Sequence, residues 1–233
     1  MVEDRLNVVV LLSGGMDSVC ALYQSKQKYN VISALSFEYG SKHNNKELPY
    51  AAYHCEKLEI SHTIIKIDFI DNHFKSSLLK GGGHIHKGYS PESSQDKPIV
   101  PFRNGIMLSI AAGYAESRDG DGVVIGAHSG DYSAYPDCRE KFLKIMSQAV
   151  CIGTYNKIKV IRPFVFMTKD QIIRKGRELD VDFSKTWSCN EGLDIHCGEC
   201  CTCVGRRKAF SSARVADPTD YTSKNPLPLD PIN

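Results

Sequence analysis

The stretch Val8-Val9-Val10-Leu11-Leu12-Ser13-Gly14-Gly15-Met16-Asp17-Ser18 sets the fold of everything that follows it. Its β-branched apolar run has the pattern of a strand buried on both faces. Val19, Cys20, Leu22 and Tyr23 then begin a helical pattern, so residues 13–18 form the turn between strand and helix. Two glycines let the backbone bend tightly and approach a ligand, two serines add hydroxyls, and the unpaired amides of a helix start face one point. Together these make an anion site. The alternative is a plain turn with serine or aspartate as helix cap. No glycine in the chain is followed by lysine, so a Gly-Lys-Ser/Thr phosphate loop is absent.

Outward from this turn the pattern alternates. Residues 31–38 and 61–67 read as strands, and residues 45–58 between them carry Leu48, Ala51, Ala52, Cys55 and Leu58 at helical spacing. Alternating strands and helices imply a parallel sheet with right-handed crossovers, in which the first strand is central and its glycine turn lies at the carboxyl edge. Tyr39, Gly40 and His43 fall past the second strand on that edge. From residue 68 to 98 the pattern dissolves into a glycine- and serine-rich loop, read as a mobile lid or disordered, with His84 and His86 solvated rather than ligating. A helix starting at Arg103 and Asn104 follows. Residues 121–126 form a fourth strand, which runs into Asp131-Tyr132-Ser133-Ala134-Tyr135-Pro136-Asp137-Cys138-Arg139. That loop is equipped to grip a flat, hydrogen-bonding ring, and Asp137 also suits the cap of the next helix, with Phe142, Leu143, Met146 and Ala149 inward. A fifth short strand ends at Arg162, and Thr168-Lys169-Asp170 caps a further helix.

The 233 residues carry 29 basic and 27 acidic side chains, a net charge of +2, too near neutral to signal a nucleic-acid partner. The first residues lack the basic start and apolar core of a secretory signal, and no apolar run approaches the ~20 residues needed to cross a bilayer. A cytoplasmic chain without membrane contact is expected.

Cys189, Cys197, Cys200 and Cys203 follow a Cys-x7-Cys-x2-Cys-x2-Cys spacing. Two-residue gaps let neighbouring thiolates converge on one ion, with tetrahedral Zn²⁺ the first expectation and iron-sulfur ligation, a redox pair or free thiols the others. Such a closed four-sulfur site is structural. Cys201 is off the spacing and reads as a spare thiol, and His196 is superfluous beside four sulfurs. Arg206, Arg207 and Lys208 read as a solvated helix face, and the proline-rich tail from Ala216 as extended or frayed.

The Ser-Gly-Gly-x-Asp-Ser turn resembles the pyrophosphate loop (PP-loop) of the ATP-pyrophosphatase family. Together with the 131–139 segment, Val100-Pro101-Phe102-Arg103-Asn104, and the cysteine cluster followed by Arg206-Arg207 and Ala209-Phe210, the chain resembles the 7-cyano-7-deazaguanine synthases of queuosine biosynthesis. The resemblance implies an α/β fold, a doubly wound parallel five-stranded sheet of the adenine nucleotide alpha hydrolase type, in residues 1–183. It further implies a C-terminal zinc-binding subdomain in 184–215, with an extended tail over 216–233. It implies an ATP-dependent ligase with Mg²⁺, structural Zn²⁺, a deazaguanine carboxylate and ammonia as substrates, and a homodimer. By position, Leu12, Ser13, Gly14, Gly15, Met16, Asp17 and Ser18 bind ATP. Catalytic roles are expected of Asp17, Arg103, Asp137 and Arg139, and substrate binding of Tyr39, His43, Asn104, Asp131, Tyr132 and Tyr135. Cys189, Cys197, Cys200 and Cys203 hold the metal. Asn190, Ser41 and Lys42 stand where the family usually has tyrosine, glutamine and arginine, which keeps open a divergent adenylating enzyme acting on tRNA or protein.

Overall fold

The computed structural model describes residues 5–85, 87, 98–128 and 135–227. Five strands, β1 (Asn7–Leu11), β2 (Asn30–Glu38), β3 (His62–Lys66), β4 (Gly122–Val124) and β5 (Lys159–Ile161), form one parallel sheet in the order β3-β2-β1-β4-β5. The expected doubly wound sheet is present, with β1 at its centre.

The triple valine of β1 explains that position. Val8, Val9 and Val10 are wholly inaccessible to solvent. Val9 packs into one core, while Val8 and Val10 pack into the other. The first core takes its helical side from α4 (Arg103–Glu116) and α5 (Glu140–Ile152), through Leu108, Ala111 and Leu143. The second takes it from α1 (Met16–Lys28), α2 (Asn44–Lys57), α6 (Lys169–Glu178) and α7 (Cys201–Ala213), through Val19, Leu22, Cys55, Ile172, Ile173 and Phe210. Period-two alternation along a strand with apolar residues at every position requires a helical layer on each face.

Several helix faces differ from the expected ones. In α2, Ala52 is exposed and the inward row includes His54. His54 is accommodated because its Nε2 donates to the Lys185 carbonyl at 2.9 Å, which leaves Nδ1 to accept from the Tyr23 hydroxyl at 3.0 Å. In α5 the inward position is Val150, not Ala149. The segment after β3 is not patternless. It opens with α3 (Asp68–His73), and Ile70, Leu78, Leu79 and Ile85 enter the first core, so the apolar residues scattered among its glycines are buried by tertiary packing. His84 is exposed, and His86 lies outside the described residues.

Near the C-terminus one expectation is corrected and one of two alternatives is removed. Arg206 is not on a solvated face: it is 0 % exposed. Its guanidinium donates to the Phe183 carbonyl at 2.9 Å and to Thr186 Oγ1 at 2.8 Å, pairs with Asp217 at 3.3 Å, and lies over the Phe210 ring. A planar five-donor group meets so many acceptors at once where an ammonium could not. The tail is correspondingly held rather than frayed through residue 225. Asp217 also accepts from the Tyr221 hydroxyl, and the Thr222 and Ser223 amides donate to His196 and Cys197. Among the described residues, no helix is long and apolar enough to cross a membrane.

Arg206→Ala is expected to destabilise the protein by about 3–5 kcal/mol, since it leaves the buried Phe183 and Thr186 acceptors without their donor and removes the cation paired with Asp217. Urea unfolding would measure it; a loss under about 1 kcal/mol would mean that the cluster does not hold the tail.

Candidate functional site

Strand order reverses about β1, with β2 on one side and β4 on the other, and such a reversal opens a crevice at the carboxyl ends of the strands. A cavity of about 210 Å³ occupies it. The loop after β1 supplies Leu12, Ser13, Gly15, Asp17 and Ser18. Tyr39, Asn44 and Glu47 enter from the end of β2 and from α2, and Arg103, Asn104 and Cys138 from α4 and the turn before α5.

The loop holds its shape internally. The Ser18 hydroxyl donates to the Gly15 carbonyl at 2.9 Å, so it accepts from the Ser13 amide at 3.2 Å and from the Ser13 hydroxyl at 3.0 Å. Ser13 Oγ in turn accepts from the Gly15 amide at 3.1 Å. Helix α1 begins at Met16, earlier than the periodicity indicated, because its N-cap is Gly15 and, among the described residues, no side chain caps it. The serines therefore shape the loop instead of capping the helix, and the first-turn amides are left for a ligand. Gly14 has φ +96°, and a Cβ there would lie 2.1 Å from the Glu47 carbonyl oxygen. Gly14 and Met16 do not line the cavity: Gly14 meets α2, and Met16 is buried in the second core.

Asp17 has Lys169 Nζ at 3.4 Å and His128 Nε2 at 3.5 Å. Burial works against its charged form, but the charges of Lys169 and His128 outweigh burial and hold the carboxyl well below the usual aspartate range. Asp17 is an anion at neutral pH. Its Oδ1 is buried and has no hydrogen-bond partner among the described residues, which suits an oxygen ligand for a hard divalent cation.

Arg103 donates to the Tyr39 hydroxyl at 3.1 Å, and the phenol together with nearby Tyr135 and Glu47 favours its charged form despite burial. Asp137 does not cap the helix after it. Its Oδ2 accepts from the Asn104 amide at 2.8 Å, so it caps α4, the helix that presents Arg103 and Asn104. Asp137 also borders a second hollow with Phe102, Phe142 and His84. Arg139 is exposed at the head of α5 and lines neither space. Asp131 and Tyr132 lie outside the described residues.

His43 does not line the cavity but stands behind Glu47, with Nε2 3.6 Å from Oε2. Burial and the charge of Arg103 push His43 down to about 4, so this contact involves a neutral imidazole and is not an ion pair. Glu47 is pushed up to about 8 by burial, with Arg103 opposing. Neither Glu47 nor Lys169 was singled out by sequence reasoning. Glu47 left a signal, four residues after His43 on a helix. Lys169 left another, a cation at a helix start where the dipole disfavours it.

The sulfurs of Cys189, Cys197, Cys200 and Cys203 all lie within 4.8 Å of one another, with Cys197 and Cys203 3.9 Å apart. Tetrahedral zinc with Zn–S bonds of about 2.3 Å would need sulfurs about 3.8 Å apart, so the donor set fits a metal ion. The Cys197 amide donates to Cys189 Sγ, and the Glu199 and Cys200 amides donate to Cys197 Sγ, as suits thiolates. Cys201 is outside the cluster, near the Asn190 amide. His196 is occupied elsewhere, accepting from the Ser188 amide at 3.0 Å and lying against Trp187. The cysteine segment reaches the cavity loop directly, since the Trp187 amide donates to the Gly14 carbonyl at 3.0 Å.

Comparison with known proteins identifies the family. The family model described as queuosine biosynthesis protein QueC matches residues 7–214. A protein of Porphyromonas gingivalis named 7-cyano-7-deazaguanine synthase is 46% identical over 213 residues, 91% of this chain and 96% of that protein. One of the same name from Desulfotalea psychrophila is 47% identical over 213 residues, 91% of this chain and 97% of its own. Among solved structures, NMN synthetase from Francisella tularensis covers 83% of this chain and 70% of its own, at 18% identity and a TM-score of 0.49. By the extent of the family match and the identity of these relatives, the chain belongs to the QueC family of queuosine biosynthesis proteins.

Proposed function

We propose that this protein converts 7-carboxy-7-deazaguanine and ammonia into 7-cyano-7-deazaguanine at the expense of ATP, passing through an adenylated carboxylate, an amide and an adenylated amide. The observation that carries this reading is the cavity at the strand-order reversal, where free helix-start amides and an ionised Asp17 face Arg103 and Asn104. The names of the relatives supply the product.

A carboxylate resists attack by ammonia until one of its oxygens becomes a leaving group. The residues 13–18 loop would hold the phosphates, with its amides toward the departing pyrophosphate. Asp17 would hold Mg²⁺, which offsets phosphate charge when bound. Arg103, kept charged and oriented by Tyr39, would draw the substrate carboxylate or the α-phosphate to the loop. Asn104, Tyr135 and the 131–132 segment would grip the ring, and Asp137 would position α4 for that contact. Arg139 is assigned to phosphate or carboxylate from its place in the family motif. No covalent protein nucleophile is needed, and alignment carries the catalysis. In this reading residues 1–183 perform the activation, 184–215 are a subdomain whose four cysteines hold structural Zn²⁺, and the tail straps it.

Wild-type protein with ATP, Mg²⁺ and 7-carboxy-7-deazaguanine should release pyrophosphate and, with ammonia, yield the nitrile by mass spectrometry. Turnover that requires tRNA or a protein acceptor would overturn ammonia as the nitrogen source. Asp17→Asn should lower substrate-dependent pyrophosphate release by about 100-fold or more, with the fold retained; wild-type release would remove Asp17 from the site.

Chelation should release one zinc per chain and lower the melting temperature, with activity falling in parallel because Trp187 braces the loop. An unchanged melting curve after metal loss would rule out a structural role. Light scattering at micromolar concentration tests the homodimer that the family resemblance implies, and a monomer would overturn it.

A further inference from the structure

Amide and nitrile formation both remove protons from nitrogen, and neither Asp17 nor Arg103 is suited to accept them. Asp17 is committed to Lys169 and His128, and Arg103 is a cation. Among the described residues that line the cavity, the carboxyl groups are Asp17 and Glu47. Glu47 enters from the first turn of α2, and its side chain is 14% exposed. His43 Nε2 stands 3.6 Å from its Oε2, beyond ordinary hydrogen-bond reach. An ideal Cβ placed on Gly15 would stand 3.8 Å from Glu47 Oε1, so the carboxyl reaches the pyrophosphate loop itself. His43 behind it is neutral, and Arg103, which lines the same cavity, is the cation whose charge acts on it.

We propose that Glu47 is the catalytic base that takes the nitrogen protons in both halves of the reaction. This rests on the adenylation reading above. In the first half, ammonia nitrogen bonds to the acyl carbon, the carbon–oxygen bond to AMP breaks with its electron pair leaving on the phosphate oxygen, and the surplus N–H proton passes to the Glu47 carboxylate. In the second half, the amide oxygen is adenylated with release of pyrophosphate. One nitrogen proton passes to the Glu47 carboxylate and on to water, giving the neutral O-adenylated imidate. The last N–H bond then breaks, its electron pair forms the third carbon–nitrogen bond, and AMP leaves. The proton goes to Glu47 and then to water. No oxidant or reductant is involved. Enclosure favours the protonated form of the carboxyl, which makes its ionised form a stronger base than an exposed glutamate.

The test uses full-length Glu47→Gln, which keeps the volume and a polar head, and Glu47→Asp, which keeps the acid. ATP–pyrophosphate exchange with 7-carboxy-7-deazaguanine reads adenylation alone. Conversion of the synthetic amide, 7-amido-7-deazaguanine, to the nitrile with ATP reads proton removal without the titration of ammonia. For Glu47→Gln, exchange should stay within about threefold of wild type while amide-to-nitrile conversion falls by about 100- to 10,000-fold, and Glu47→Asp should recover part of the loss. Equal loss of exchange and conversion in Glu47→Gln would overturn the proposal in favour of a binding or structural role. Nitrile formation at the wild-type rate would also overturn it. Absence of substrate-dependent exchange in the wild type would instead overturn the adenylation reading, and this inference with it.

Discussion

Gly14 is gripped from two sides. Its positive φ brings the backbone against the Glu47 carbonyl of α2, in a space that no Cβ could share, and its own carbonyl accepts from the Trp187 amide. The loop that follows β1 is thus held between a helix packed on one sheet face and the segment that carries the four clustered cysteines. The hydroxyl chain of Ser13 and Ser18 keeps the loop open, but it is this grip that sets where the loop lies relative to Arg103 and Asn104. Glycine is required there for contact as much as for conformation.

Much of this was legible in the chain because local pattern and burial coincide. A triple valine flanked by turn residues and a helical repeat has few alternatives to a central parallel strand, and the two-residue cysteine gaps point to convergence on one ion. Where the reading failed, the deciding contacts were distant in sequence. Arg206 looks like any basic residue until Phe183, Thr186 and Asp217 close around it. Asp137 satisfies the local rule for a cap, yet it caps a helix that begins at Arg103, far upstream. His54 replaces Ala52 on the inner row of α2 only because Tyr23 and Lys185 offer it both hydrogen bonds. Polar residues become structural or functional through their partners, and partners are what periodicity does not record.

The same logic separates the two carboxyl groups of the cavity. Asp17 and Glu47 are close in chemistry but are driven apart by their surroundings. One is held as an anion by Lys169 and His128, and the other is enclosed with little charge to support it. A pair of acids with opposed environments is how one site can hold charge and move protons at the same pH.

The hydrogen bond from Trp187 to Gly14 joins the loop after β1 to a segment 173 residues downstream. During synthesis on the ribosome, the loop and most of the sheet emerge long before the segment that braces them. A nascent or truncated chain therefore carries the loop sequence without its final support. Competence for chemistry becomes a late event, reached when the cysteine segment and the strap through Asp217 and Tyr221 have docked. The fold in this way couples docking of the cysteine segment to completion of the site.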